Sequence, residues 1–89
     1  MAPTDTDQEQ HLLRLARQND PTAMELIYST YVRYLAAVCS RYIINSEDVK
    51  DVLQDSFLKI FATIPSFEYR GKNSLKGWMT KVTVNEALK

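Results

Sequence analysis

The stretch over residues 46–64, SEDVKDVLQDSFLKIFATI, constrains the fold more than any other part of the sequence. Its apolar side chains recur at three- and four-residue steps, which is the period of an amphipathic helix with one buried face. A chain with such a helix must supply other elements to cover that face. The predicted inner face consists of Val49, Val52, Leu53, Ser56, Ile60 and Ile64, with Phe57 at its edge.

The opposite side of the same helix is unusual. It carries Asp51, Gln54, Asp55, Leu58 and Phe61, so two large apolar side chains stand among acids and an amide. A solvated helix face is normally polar throughout, and Leu58 and Phe61 therefore need something to pack against. Two explanations stay open: another segment of this chain covers them, or they form a docking surface for a partner protein.

The rest of the chain predicts three more helices and no strands. The chain has only two glycines and three prolines, the residues that most often interrupt secondary structure, and this favours a few long helices. N-caps are predicted at Asp7, Asp20, Ser46 and Ser74, and Pro65 should end the third helix. We therefore expect an all-α bundle of four helices behind a flexible tail at 1–6, with the first helix short. The other predicted helices span about 8–18, 21–44 and 75–88.

Composition excludes several classes of protein. The single cysteine, Cys39, falls on an apolar helix stripe, so we interpret it as a buried hydrophobe in a reducing compartment. No apolar run approaches the ~20 residues of a membrane span. The first ten residues, MAPTDTDQEQ, are polar and acidic, unlike a secretion signal. The prediction is a cytoplasmic protein.

No catalytic constellation is recognisable in the sequence. It lacks a Gly-rich phosphate loop and a Ser/His/Asp set, and the only histidine, His11, has no metal-binding neighbour at suitable spacing. Asp48, Asp51 and Asp55 follow helical steps, but no facing acidic helix completes a metal site. We predict no catalytic residue, no cofactor and no metal, and hence no enzyme.

Charge and aromatic residues are distributed unevenly. Residues 1–55 carry five basic and nine acidic side chains, whereas residues 56–89 carry six basic and two acidic ones. In the linker 66–73 and the last helix, rings alternate with cations, a composition that suits single-stranded nucleic acid. A solvated basic loop with Phe67 tucked into the core explains it equally well. The tyrosines of the second helix, at 28, 31, 34 and 42, are interpreted as core residues rather than a stacking platform.

Three blocks in order resemble region 2 of the extracytoplasmic-function (ECF) group of bacterial sigma factors. They are NDPTAMELIYSTY, SEDVKDVLQDSFLKIF and FEYRGKNSLKGWMTKVTVNEAL. The middle block has the acid-x-x-Gln-acid-x-Phe-Leu pattern, and the last has Arg-Gly followed by Ser, Trp and Asn at the family's intervals. The resemblance implies a sigma region 2 domain over residues 7–89. The family's second DNA-binding domain, region 4, has no counterpart here, so we expect an isolated domain or a truncated chain.

The resemblance also implies partners and site residues. In this family the third helix docks on the clamp helices of the largest subunit of RNA polymerase. The loop and fourth helix engage the promoter −10 element and trap a flipped base of the non-template strand. By position, the polymerase-binding residues would be Asp51, Gln54, Asp55, Leu58 and Phe61. The DNA-binding residues would be Tyr69, Arg70, Lys72, Asn73, Ser74, Lys76, Lys81 and Asn85, with Trp78 as a packing residue.

Two rival interpretations remain. One is a helical adaptor that binds only protein, such as an anti-sigma factor, through its acidic face. The other is a small helical metalloenzyme. An anti-sigma factor is also an expected partner under the sigma-factor interpretation.

Overall fold

A computed structural model of the chain describes residues 5–89, and side chains from residue 8 onward. Within this range the prediction of an all-α protein with four helices is confirmed. The first helix is the shortest, with 13 residues, although α4 has only 14. The helices are α1 (Asp5–Arg17), α2 (Pro21–Ser40), α3 (Ser46–Thr63) and α4 (Ser74–Ala87), with a 3₁₀ turn at Ile64–Ser66.

The first helix begins earlier than its sequence predicts. It starts at Asp5, so Asp7 lies inside the first turn and is not the N-cap. Acidic residues are favourable near the positive end of the helix dipole, and nothing between positions 5 and 8 interrupts the helix. Of the flexible tail predicted over 1–6, residues 5 and 6 are therefore helical, and residues 1–4 lie outside the described part of the chain.

The second helix ends at Ser40, four residues before the predicted end. Its apolar stripe is confirmed at Ile27, Leu35 and Val38, which are buried. Beyond Ser40 the pattern continues in the sequence, but Tyr42 is 50% exposed and Ile44 is fully exposed. Helical stability in proteins comes mainly from packing of the apolar face, and of the three side chains Tyr42, Ile43 and Ile44 beyond Ser40 only Ile43 is even half-buried.

The caps are partly as predicted. Asp20 caps α2, since its carboxylate accepts a hydrogen bond from the Thr22 N–H at 2.9 Å. The cap of α3 is Asn45 rather than Ser46: the Asn45 Oδ1 accepts from the N–H of Glu47 at 2.8 Å. Asn45 has the extended backbone of an N-cap residue, and its side chain accepts from the N–H groups of Glu47 and Asp48. Ser46 is already the first helical residue and so does not occupy the cap position.

All four helices contribute to one core. The inner face of α3 is confirmed at Ser56, Phe57, Ile60 and Ile64, whereas Val49, Val52 and Leu53 are only half-buried. The Ser56 hydroxyl donates to the Val52 carbonyl at 2.7 Å, which allows a polar group in this position. The other members of the core include Leu12, Leu13, Ala16, Ala23, Ile27, Leu35, Leu75 and Met79.

The cysteine prediction is confirmed as far as burial goes. Cys39 is fully buried, and this burial raises the pKa of its thiol. A thiol with a raised pKa is a poor nucleophile, in keeping with a structural residue. Among residues 5–89, no helix is long and apolar enough to cross a membrane.

A carboxylate joins the end of α4 to α3. Glu86 accepts hydrogen bonds from Lys59 of α3 and from Lys89, the latter at 2.9 Å, and its side chain is only 8% exposed. These two ammonium groups lower the pKa of Glu86, with Lys59 the larger influence. A lowered native-state pKa means that the ionised form is the one stabilised by folding.

We predict that Glu86→Gln lowers the thermal unfolding midpoint at neutral pH. The stabilisation by Glu86 is complete above its unfolded-state pKa and is lost as the pH falls through the lower native-state pKa. The difference between the two proteins, measured by circular dichroism melts across pH, should therefore disappear on acidification. Glu47→Gln is the control, since Glu47 and Lys50 are 3.9 Å apart and mostly exposed. A difference independent of pH would contradict the prediction.

Candidate functional site

The outer face of α3 is open to solvent. We use this name for Asp51, Gln54, Asp55, Leu58 and Phe61. The first four are exposed, and Leu58 keeps 63% of its surface. Phe61 is half-buried against the core. The first explanation, cover by another segment of this chain, is thus wrong for Leu58 within the described residues and right only in part for Phe61.

A row of aromatic rings extends this face onto α2. The Tyr28 ring lies 4.8 Å from that of Phe57, and Phe57 lies 5.7 Å from Phe61. Together with Leu53 and Leu58 they border an open groove of about 480 Å³, the apolar groove. It offers a partner protein a continuous hydrophobic surface with Gln54 at its edge.

Tyr28 does not lie in the core, contrary to its prediction from the sequence. Tyr28 is 49% exposed, and Tyr34 and Tyr42 are exposed as well. Of the four tyrosines of the predicted second helix, only Tyr31 is buried. The buried stripe of α2 advances in four-residue steps from Ile27 to Tyr31 and Leu35. A residue adjacent to Ile27 is turned by about 100°, so Tyr28 lies at the edge of the stripe. That offset from the buried stripe is the feature of the sequence that could have predicted the exposure of Tyr28.

A second groove lies between the linker and α4. Its floor is the Phe67 ring against the Trp78 ring, with centroids 4.9 Å apart. Arg70 and Lys81 supply positive charge at its border, and Glu68 supplies one acid. We call this open hollow of about 680 Å³ the loop groove. Trp78 is half-buried, so its predicted packing role is confirmed in part, because the same ring also lines the groove.

The eight predicted DNA-binding residues do not all line one groove. Arg70, Ser74 and Lys81 line the loop groove, and Lys72 and Asn73 are exposed at the tip of the linker. The Ser74 hydroxyl is already engaged, since it accepts from the Arg70 N–H at 3.1 Å.

The other three point elsewhere. Tyr69 lines a separate hollow with Arg14 and Arg17 of α1, and its hydroxyl is buried with no hydrogen-bond partner among the described residues. The Lys76 ammonium lies 4.2 Å above the Tyr34 ring. Asn85 lines a third hollow, on the α3 side of Trp78.

Two residues of α1, Arg17 and Glu9, hydrogen-bond to the backbone of the linker and of the start of α4. Neither is among the site residues predicted from the sequence. Arg17 Nη2 donates to the Phe67 carbonyl at 2.7 Å. Glu9 is 2% exposed, and its two carboxylate oxygens accept from the N–H groups of Asn73 and Lys76, at 2.8 and 2.9 Å. Glu9 is 64 residues from Asn73 in the sequence, so no local pattern could have revealed the contact.

The chemistry available at both grooves is that of binding. Rings, cations and apolar surface converge there. Among the residues that the structure describes, no three His, Cys, Asp or Glu side chains come together as a metal site.

Comparison with known proteins identifies similar sequences and similar solved structures. A family model described as sigma-70 region 2 matches residues 27–89. The ECF RNA polymerase sigma-E factor of Haemophilus influenzae is 36% identical over 89% of this chain and 40% of that protein, and that of Escherichia coli is 33% identical over the same shares. The chain thus spans about 40% of the length of these relatives.

The structural comparison gives an NMR structure of an engineered region 2 of sigmaE in complex with GTAAAA. It has a TM-score of 0.81 and 31% sequence identity, and covers 99% of this chain and 87% of that one.

Gly77 gives a direct test of the α4 backbone where it borders the loop groove. It lies within α4 and lines the groove, and a Cβ added there would meet nothing within 4 Å. We predict that Gly77→Ala stabilises the protein by about 1 kcal/mol, the usual gain in a helix interior, in urea unfolding. Gly71→Ala is the matched control. Its site is equally open, but its φ of +115° should make alanine destabilising. Equal effects of both substitutions would be inconsistent with this structure.

Proposed function

The chain belongs to the sigma-70 region 2 family, in its ECF group, and from this premise we propose that it acts in transcription initiation. It binds core RNA polymerase through the outer face of α3. It recognises the promoter −10 element as single-stranded DNA through the linker and α4. The observation that carries the proposal is the contrast between the two sides of α3: Phe57 and Ile60 are buried on the inner face, while Leu58 on the outer face is 63% exposed.

The polymerase contact combines charge with apolar area. Asp51 and Asp55 pair with arginines on the clamp helices of the largest subunit, in charge-assisted hydrogen bonds. Leu58, Phe61 and Tyr28 bury hydrophobic surface in the same contact. A few central side chains usually dominate such an interface, and Leu58 is the best candidate because the fold does not use it.

The DNA contact uses the loop groove. Arg70, Lys72 and Lys81 approach the phosphates of the non-template strand, and an extruded base enters the groove over Phe67 and Trp78. Extrusion costs a few kcal/mol, which stacking at about 1–3 kcal/mol per base offsets. A neighbour at 31% identity was solved in complex with GTAAAA, and this supports assigning the same class of ligand to this chain.

A helical adaptor that binds only protein remains the alternative. It would use the outer face of α3 and leave the loop groove unoccupied. Binding of single-stranded DNA distinguishes the two functions, because only the first requires it. An anti-sigma partner stays a prediction.

We predict that Leu58→Ala weakens binding to a clamp-helix fragment of the polymerase by about tenfold or more, as loss of a central interface residue does. The unfolding midpoint should barely move, since exposed substitutions change stability by about 0.5 kcal/mol or less. Isothermal titration calorimetry measures the affinity. Ile44→Ala removes an equally large, fully exposed side chain outside this face and serves as the control. Unchanged affinity of the Leu58 variant would remove the face from the interface.

We predict that Arg70→Ala reduces the affinity for single-stranded GTAAAA by about tenfold, measured by fluorescence anisotropy, while clamp-helix binding is retained. If Arg70 neutralises one phosphate, the slope of log affinity against log salt should become less steep by about 0.7. Arg33→Ala makes the same charge change at an exposed α2 position that does not line the loop groove. Equal losses in both variants would mean that only net charge matters and that the groove is not the site.

A further inference from the structure

We infer that Glu9 is the positioning residue of the DNA-binding linker. Its carboxylate holds the backbone where the linker enters α4 and so keeps the loop groove in the form that receives single-stranded DNA. This inference rests on the proposed DNA contact, but assigns a role to a residue that touches neither DNA nor polymerase.

The start of α4 has no side-chain cap from its own N-cap residue. The first N–H groups of a helix have no partner inside it, and an N-cap side chain usually supplies one. Here the N-cap residue, Asn73, makes no side-chain cap bond, and the Ser74 hydroxyl accepts from Arg70 instead. Glu9 takes over this role from another helix: one carboxylate oxygen accepts from Asn73 at 2.8 Å and the other from Lys76 at 2.9 Å.

The Glu9 side chain is a buried acid, and its burial has an energetic cost. Glu9 is only 2% exposed, and an uncompensated buried carboxylate would be strongly destabilising. Two N–H donors and the positive end of the α4 dipole compensate it. The carboxylate and the start of α4 therefore depend on each other, and the contact is difficult to open.

The linker is held by α1 at both of its ends. Asn73 has a φ of +65°, in the left-handed region that non-glycine residues seldom adopt. At the other end of the linker, Arg17 holds the Phe67 carbonyl at 2.7 Å. Helix α1 therefore fixes both ends of the linker, and Arg70 and Lys72 are displayed between two anchored points. A binding loop fixed before the ligand arrives loses less entropy on binding.

The sign of the effect separates positioning from simple electrostatics. Removing a negative charge near a DNA site should strengthen DNA binding if charge alone matters. Removing the anchor should weaken it. Glu9→Gln keeps the size of the side chain, but it removes the charge and leaves one oxygen for two donors.

The experiment compares the wild-type chain with Glu9→Gln, Glu9→Asp and the control Glu25→Gln, which neutralises an exposed acid on α2. For Glu9→Gln we expect about tenfold weaker binding of single-stranded GTAAAA and faster hydrogen exchange at the Asn73 and Lys76 amides. Clamp-helix binding should change by less than about twofold. Glu9→Asp keeps the charge and should fall between Gln and wild type, which keeps the test usable if Glu9→Gln folds poorly. Glu25→Gln should bind DNA as well as wild type or slightly better.

Unchanged or tighter DNA binding by Glu9→Gln would overturn the inference. If exchange at both amides were nevertheless faster, Glu9 would be a stabilising cap only. If the wild-type chain itself binds no single-stranded DNA, the proposed DNA contact fails first. That failure is distinguishable, because it affects every variant equally.

Discussion

The packing of Phe57 and Ile60 of α3 in the core that α3 shares with α2 and α4 is the interaction on which the rest of this structure depends. In a chain of 89 residues little apolar surface is available, and α3 contributes its share mainly from a single face. On the opposite side, Phe61 packs in part against the core, whereas Leu58 does not contribute to it. Leu58 is consequently available to a partner at little cost in stability.

The same helix fixes the distance between the two proposed contacts. Leu58 lines the apolar groove, and Thr63 lines the loop groove five residues later. Five residues of α-helix rise about 7–8 Å and turn by about 140°, so the two surfaces lie on different sides of one helix and belong to one body. Polymerase bound on α3 would thereby set where the loop groove meets DNA. Helix α1 adds the complementary constraint, since Arg17 and Glu9 hold the linker to that body.

The features that the sequence predicted well are those with local causes. The cap at Asp20, the end of α3 before Pro65 and the inner face around Ile60 each follow from residues within one or two turns. Some errors had a local signal, as at Tyr28, whose offset from Ile27 places it at the edge of the buried stripe. Others have non-local causes, since the cap of α4 is supplied by Glu9 from the other end of the chain. The family resemblance gave positions for the DNA-binding residues but not their directions.

Helix geometry explains why those directions diverge. Lys76 and Lys81 are five residues apart on α4, so their side chains are turned by about 140° from each other and cannot line one groove. Only Lys81 lines the loop groove, whereas Lys76 lies over the Tyr34 ring and gives its N–H to Glu9. Moving the Lys76 ammonium to a phosphate would cost the cation–π contact, about 0.5–1 kcal/mol at an exposed site. Under the proposed DNA contact, Lys76 would therefore act chiefly through its backbone, as part of the anchored start of α4, while Arg70, Lys72 and Lys81 would carry the charge.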